Sequence, residues 1–216
     1  MRVLTIGDSF TYGDELVDIQ QAWPYILQNK LSCELTNIGK PSTGNTSMVR
    51  NVVEHAADYD LIIVAWSHFA RIEFADEYGI YDTWPGHHGI MFNNNLAHRM
   101  YLLDYINHHH DDEYLYKQYL LNVILAQAYI GQLGKKLIML NTHIDWKNLY
   151  NPLFLAKFSN LTNQIDNRYF VDQLTKSMME WTLGTPKGPK GHFLEEGHQI
   201  VADKIYEHIR HLGWVS

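Results

Sequence analysis

The sequence predicts an α/β/α sandwich, a three-layer architecture in which helices cover both faces of a central parallel sheet. Short apolar segments rich in β-branched residues recur along the chain, and segments with helical periodicity lie between them. Continuous apolar runs of this kind are typical of strands buried on both faces of a parallel sheet. Alternating strands and helices require right-handed crossovers, which produce a doubly wound layer structure.

Four segments are predicted to form the strands. Three of them are continuous apolar runs, and the fourth is a weaker one: RVLTIG at 2–7, DLIIVAW at 60–66, KLIMLNT at 136–142, and CELTNIG at 33–39. Helices are expected between and after them, at 22–31, 46–59, 94–133 with a break near 107–113, and 195–212. Pro24 is tolerable in the first turn of its helix, and Gly213 fits just past the end of the last one.

Length and composition limit the class of protein. The 216 residues are 46% hydrophobic, which suits one domain over 1–216, with insertions expected at about 74–95 and 143–180. A formal charge of −7, without a basic block, argues against nucleic acid as a partner. The single cysteine excludes an intrachain disulfide framework. No signal-peptide pattern or membrane span is evident, so we expect a cytoplasmic protein.

Ser9 is the first candidate for chemistry. It closes the sequence Gly-Asp-Ser directly after the first predicted strand, at the edge of the sheet where open α/β folds bind their ligands. Aspartate and serine at this place are equally typical of a helix cap. A nucleophilic serine also needs a base, and among the 13 histidines one group precedes the C-terminal helix behind a glycine-rich loop, His192 and His198.

These two ends of the chain together resemble the GDSL/SGNH hydrolases, a family of esterases and lipases. Their Gly-Asp-Ser motif is matched by residues 7–9, and their His-Pro-x-x-x-Gly-His motif is matched at 192–198 with Phe193 in place of proline. The resemblance implies a flavodoxin-like fold, Ser9 as nucleophile, His192 as base and His198 as a structural residue. It implies neither a metal nor an organic cofactor, and a small-molecule or glycan ester as substrate.

The family's second motif provides a glycine N–H to the oxyanion, and the resemblance transfers this role to Gly44, with Asn45 beside it as a further substrate-binding candidate. Gly44 precedes the predicted helix at 46–59, where a free N–H is available to an anion. The same stretch, GKPSTGNT at 39–46, fits a phosphate loop except that Asn45 replaces the required lysine. We therefore do not expect a nucleotide site.

The third motif departs from the family. Ser67 stands where the family has an asparagine that donates to the oxyanion, and a hydroxyl can donate one hydrogen bond in its place. Arg71 follows four residues later and is expected either to bind an anionic or polyhydroxylated substrate or to form a surface ion pair with a neighbour such as Glu73.

The orienting acid of the family is absent from its usual place. Pro189 stands three residues before His192, where the family has aspartate. A backbone carbonyl, Asp145 or Glu195 are the alternatives considered for its role. Two function classes follow: an esterase that acts by Ser-His catalysis with a missing or relocated acid, and a noncatalytic relative that binds a glycan or has a structural role.

Two further clusters invite a functional interpretation. The histidines at 108–110 are consecutive, so on a helix they point about 100° apart and cannot converge on one metal ion. The aromatic segment from Tyr78 to Trp84 suits a lid or a sugar-stacking wall, and packing of an insertion explains it equally well.

Overall fold

In the part of the chain that the structure describes, the central sheet has four parallel strands. A computed structural model describes residues 1–76, 79–83, 104, 111–143 and 152–215. The strands are β1 (Arg2–Ile6), β2 (Glu34–Asn37), β3 (Leu61–Trp66) and, in a later part of the chain, β6 (Lys136–Asn141). Their order in the sheet is β2-β1-β3-β6. All three pairs of neighbours are parallel, and the predicted strands and parallel sheet are confirmed.

Among the described residues, the four helices of nine or more residues form the outer layers. Helices α2 (Trp23–Leu31) and α8 (Glu195–His211) pack on one face of the sheet, and α3 (Asn45–His55) and α4 (Asp112–Gln132) pack on the other. Pro24 lies in the first turn of α2, where its missing N–H costs no helical hydrogen bond. Gly213 adopts a left-handed φ of +70° just after α8, as expected of a glycine that ends a helix.

Side chains of the central strands alternate between two apolar cores. All six residues of β3 are buried, because helices cover both of its faces. The core beneath α3 and α4 receives Ile62, Val64 and Trp66 from this strand. The core beneath α2 and α8 receives Leu61, Ile63 and Ala65. This two-sided burial makes the chain a three-layer α/β/α sandwich.

Some elements differ from expectation. An antiparallel hairpin, β4 (Ile72–Asp76) and β5 (Gly79–Thr83), follows β3 and was not predicted. The segment after β6, where an insertion was predicted at about 143–180, contains three short helices in its described part: α5 (Pro152–Ala156), α6 (Ser159–Thr162) and α7 (Met178–Trp181). The histidines at 108–110, and Tyr78 and Trp84, lie outside the described residues.

No helix in the described ranges combines the length and the apolar character needed to cross a membrane.

Candidate active site

Ser9 begins a short helix at the carboxyl end of β1. Asp8 is the cap of this helix, α1 (Ser9–Tyr12), because its Oδ1 accepts the N–H of Phe10 at 3.1 Å. Capping is thus performed by the aspartate, and the Ser9 hydroxyl is left for another partner. Gly7 permits the turn, because a Cβ there would lie 2.0 Å from the hydroxyl oxygen of Thr11.

His192 lies on the loop that leads into α8. The loop closes on itself through a 2.8 Å hydrogen bond from the Gly188 N–H to the His192 carbonyl, and Gly191 adopts a left-handed φ of +89°. Phe193 is fully buried after it and packs against Gly197, where a Cβ would lie 2.5 Å from the phenylalanine Cβ. These contacts hold the histidine backbone at the edge of the sheet.

The fold brings Ser9 and His192 together although they are 183 positions apart in the sequence. Nε2 of His192 lies 2.8 Å from Oγ of Ser9. The serine is 5% exposed, and the histidine side chain is 12% exposed. The Phe10 ring packs against the imidazole with the ring centroids 4.6 Å apart. The pair is therefore close, oriented and open to solvent on a small area only.

The second ring nitrogen of His192 contacts Glu15. Nδ1 of the histidine lies 2.8 Å from Oε2 of the glutamate, and the same oxygen accepts the His192 main-chain N–H at 3.1 Å. The other oxygen, Oε1, accepts the Lys190 N–H at 2.8 Å. Three N–H groups thus converge on one carboxylate whose side chain is 7% exposed.

Sequence reasoning missed Glu15. Of the acids considered instead, Asp145 lies outside the described residues and Glu195 is the first residue of α8. Glu15 is only six residues from Ser9, and no spacing rule marks it as a partner of a histidine near the other end of the chain. A general signal is that an acid six residues after Ser9 lies near the carboxyl edge of the sheet, where functional groups collect, but this signal does not select Glu15 over Asp14.

The backbone at Glu15 is strained. Helix α1 ends at Gly13, whose φ is +90°, and Glu15 itself has a φ of +72°. A residue other than glycine in the left-handed region costs on the order of 1 kcal/mol or more, and such strain clusters at functional sites. Here the turn returns the chain toward the loop that carries His192.

Glu15 stays ionised over a wide range of pH. Burial is the largest influence on its pKa and acts to raise it. Hydrogen bonds from the Lys190 N–H and from the ring and main chain of His192 together outweigh burial, and they lower the pKa below its usual value. An ionised carboxylate can only accept hydrogen bonds, so Nδ1 of His192 carries a proton and Nε2 faces Ser9 as an acceptor.

Asp8 is the centre of a buried polar network beside the serine. Its Oδ2 accepts the Ser67 hydroxyl at 2.9 Å and lies 3.4 Å from Nη1 of Arg71. Nη1 also donates to the Thr43 carbonyl at 3.0 Å. The Arg71 side chain is only 6% exposed, so the surface ion pair considered from the sequence is wrong: the arginine pairs internally with Asp8.

Asn45 joins the end of β3 to the start of α3. Its Oδ1 accepts the Ser67 N–H at 2.9 Å, and its Nδ2 donates to the carbonyls of Ser67 and His68 at 3.2 and 3.4 Å. Gly44 is buried immediately before α3 in an extended conformation and offers no side-chain cap. The assignments of Gly44, Asn45 and Ser67 to an oxyanion or substrate site remain predictions.

Aromatic rings line the same edge of the sheet. His143, which follows β6, packs edge-on against Phe10 and against His68, with centroids 6.4 and 5.9 Å apart. His68, which follows β3, stacks on Phe69 at 4.6 Å. The sequence analysis singled out neither histidine, although both come directly after a strand whose carboxyl end faces the site.

A cavity of about 200 Å³ opens beside the Asp8 network. It lies between α3, α4 and the segment after β3, and Asn45 and Arg71 contribute to both the cavity and the network. Its other walls include Phe69, Tyr114 and Gln118, so it combines aromatic surface with hydrogen-bonding groups.

His198 has a structural place, as the resemblance implied. It is fully buried, and its Nδ1 accepts the Trp23 N–H at 3.2 Å. That N–H belongs to the first turn of α2, so His198 satisfies a donor that has no partner within its own helix. Burial, with a smaller contribution from the nearby His192, lowers the pKa of His198 from 6.5 to about 3. No group of three or more metal-ligating side chains converges in the described part of the chain.

Comparison with known proteins identifies the fold. No protein-family model and no curated protein matches the chain. Solved structures do, and several of them match over almost the whole of both chains. One is a lipolytic protein assigned to the G-D-S-L family from Desulfitobacterium hafniense DCB-2, with a TM-score of 0.55 and 11% identity over 96% of this chain and 98% of that one.

Two esterases are similar in the same way. A psychrotrophic esterase, EstA from Pseudoalteromonas sp., in a structure inhibited by monoethylphosphonate, has a TM-score of 0.59 and 11% identity, covering 98% of this chain and 97% of its own. An acetyl xylan esterase, AlAXEase, has a TM-score of 0.54 and 13% identity, covering 97% and 100%. The chain therefore has the α/β fold of the SGNH hydrolases.

Proposed function

We propose that the protein hydrolyses a carboxylic ester, with Ser9 as nucleophile and His192 as general base. One observation carries the proposal: Oγ of a nearly buried serine lies 2.8 Å from an imidazole nitrogen that faces it as an acceptor. A serine hydroxyl becomes nucleophilic when an adjacent base takes its proton. The esterases that share this fold support the same reaction class.

The reaction proceeds in two halves. In the first, Oγ of Ser9 attacks the ester carbonyl while its proton moves to Nε2 of His192, and the collapsing tetrahedral intermediate expels the alcohol, which takes that proton. In the second, water attacks the acyl-serine, gives its proton to Nε2, and the acid leaves as Ser9 recovers a proton. Every proton exchanged passes through one imidazole nitrogen.

The oxyanion is held by main-chain N–H groups in this proposal. Ser9 and Gly44 supply them, since Ser9 is the first residue of α1 and Gly44 directly precedes α3. Ser67 joins them only if its hydroxyl turns away from Asp8, to which it now donates. Asp8 would then keep the Phe10 N–H and Arg71 as partners.

The substrate is proposed to be an acyl or acetyl ester of a polyhydroxylated alcohol such as a carbohydrate. The cavity that Asn45 and Arg71 help to line contains amide, hydroxyl, charged and aromatic side chains, and such groups bind sugar hydroxyls and stack on sugar rings. Ser9 and His192 do not line this cavity, so the proposal requires the sugar to extend from it to the nucleophile. The similarity to an acetyl xylan esterase supports this choice.

A fluorophosphonate probe tests the nucleophile without requiring the natural ester. Wild type is expected to be labelled at Ser9, Ser9→Ala to remain unlabelled, and His192→Ala to react far more slowly, because the base is gone. His211→Ala is the matched control, since this exposed histidine lies at the other end of α8. A wild type that is labelled no faster than Ser9→Ala would remove the esterase proposal and favour the noncatalytic glycan-binding alternative.

A further inference from the structure

We propose that Glu15 is the acid that positions His192, so that the family's carboxylate has moved from the loop before the histidine to the turn after the nucleophile. The inference rests on the proposed function and deepens it. At the usual place stands Pro189, whose side chain has no polar group. Glu15 instead contacts Nδ1 of His192, the ring nitrogen that faces away from Ser9.

The carboxylate determines which imidazole nitrogen is free. Glu15 accepts a hydrogen bond from Nδ1, so the proton of the neutral ring resides there. The lone pair of Nε2 then points at Ser9. Without this acceptor the opposite tautomer becomes available, and in that tautomer Nε2 carries a proton and cannot take one from Ser9. The negative charge also stabilises the imidazolium that forms during each half-reaction.

The same carboxylate fixes the loop as well as the ring. Its two oxygens accept the main-chain N–H groups of Lys190 and His192, so the backbone on both sides of Gly191 is tied to the nucleophile turn. The ring and the backbone of His192 are therefore both held by the Glu15 carboxylate, which is six residues from Ser9 in the sequence. A change at Glu15 acts on the distance between nucleophile and base directly.

The surroundings leave little freedom for this side chain. A Cβ at Gly188 would lie 2.5 Å from Cδ of Glu15 and 2.6 Å from its Oε1, so the loop must approach the carboxylate with a glycine. The left-handed φ of +72° at Glu15 turns the chain toward the loop that carries His192. A solvated ion pair would need neither feature, and both agree with a carboxylate held in one orientation.

Glu15→Gln removes the charge of the carboxylate and keeps nearly the same side-chain shape. Glutamine has one acceptor oxygen and one amide donor where the carboxylate has two acceptors, yet three N–H groups converge there. The amide must therefore face one of these donors. Turnover of p-nitrophenyl acetate is expected to fall by about 10²- to 10⁴-fold with little change in KM, because the negative charge is lost and an amide group that faces Nδ1 no longer selects the reactive tautomer.

Asp14→Asn is the matched control. Asp14 is the adjacent acid on the same turn and lies 3.5 Å from Nζ of Lys190, so the substitution removes the same charge next to the same loop. It is expected to leave kcat near the wild-type value. Glu15→Gln with wild-type kcat would overturn the inference and leave the Ser9–His192 proposal standing.

Proton NMR of His192 gives a readout that a purely structural role would not move. Wild type is expected to show a far-downfield Nδ1 proton that disappears in Glu15→Gln and persists in Asp14→Asn. Its persistence in Glu15→Gln would contradict the inference. The signal does not require turnover, so it decides the inference even if wild type proves no more active than Ser9→Ala, a result that would end the proposed function instead.

A second variant covers the case in which Glu15→Gln does not fold. Gly188→Ala keeps every charge and displaces the carboxylate through the added methyl group, whose contacts would fall below 3 Å. A folded Gly188→Ala with reduced kcat and a weakened downfield signal supports the inference. A folded Gly188→Ala that matches wild type in both measurements contradicts it.

Discussion

Protonation of His198 is expected to make the fold sensitive to mild acid. The folded protein lowers the pKa of this buried histidine from 6.5 to about 3, whereas in the unfolded chain it keeps its ordinary value. Between these values the unfolded chain binds a proton that the folded chain does not, so the free energy of unfolding falls as the pH falls below 6.5. One group contributes about 1.4 kcal/mol per pH unit in this window.

The loss of unfolding free energy follows from the difference between the folded and unfolded pKa values of His198. At pH 5 the loss relative to neutral pH is about 2 kcal/mol, and it reaches about 4 kcal/mol near pH 3. The pKa of Glu15 is lowered from 4.5, so its own stabilising contribution disappears only at more acidic pH. Between pH 6.5 and 4.5 the change in the free energy of unfolding therefore arises mainly from histidine protonation.

Urea unfolding at several pH values measures the effect. His198→Asn retains an acceptor for the Trp23 N–H but does not titrate, so it is expected to lower stability at pH 7 and to flatten the decline toward pH 5. His208, whose pKa is also lowered by burial, contributes equally to both proteins and cancels in the comparison. His211→Asn, an exposed control, should retain the wild-type slope. Equal slopes for wild type and His198→Asn would refute the reasoning.

Two further substitutions test the nucleophile turn and the Asp8 network. Gly7→Ala places a methyl group 2.0 Å from a threonine hydroxyl and is expected to lower both the melting temperature and the labelling rate, whereas Gly131→Ala, which meets open space within α4, should stabilise by up to about 1 kcal/mol. Stable, fully labelled Gly7→Ala would contradict the proposed packing. Ser67→Ala removes a hydrogen bond to buried Asp8 and should cost about 1 to 3 kcal/mol in urea unfolding. If Ser67 also donates to the oxyanion, turnover should fall up to about 10³-fold, and unchanged turnover would remove it from the site.

Strands β1, β3 and β6 were predictable because they are almost entirely buried, whereas β2 is half-buried and gave the weaker pattern. Two-sided burial requires unbroken apolar sequence, and β3 has it in Leu61–Trp66. The hairpin β4–β5 has no continuous apolar run, so its sequence did not indicate two paired strands. The short helices after β6 span only a turn or so each, too few residues to display a helical period.

Half of the candidate site could be inferred, for a similar reason. Ser9 and His192 stand in local motifs that the chain must carry to form a strand-to-helix turn and a loop before the last helix. Glu15 could not be inferred, because its contact depends on a left-handed backbone and on a loop 177 residues away that approaches through Gly188. For Arg71 the sequence left substrate binding and a surface ion pair as alternatives, because it did not show that Asp8 would be buried beside the arginine.

Trapping the covalent intermediate tests the central claim most directly. During hydrolysis of p-nitrophenyl acetate, acid-quenched wild type should carry an acetyl group, and peptide mapping should place it on Ser9. Ser9→Ala should carry none, and Glu15→Gln should accumulate it more slowly than Asp14→Asn. An acetyl group found on another residue, or equal acetylation of wild type and Ser9→Ala, would contradict the assignment of Ser9 as the nucleophile.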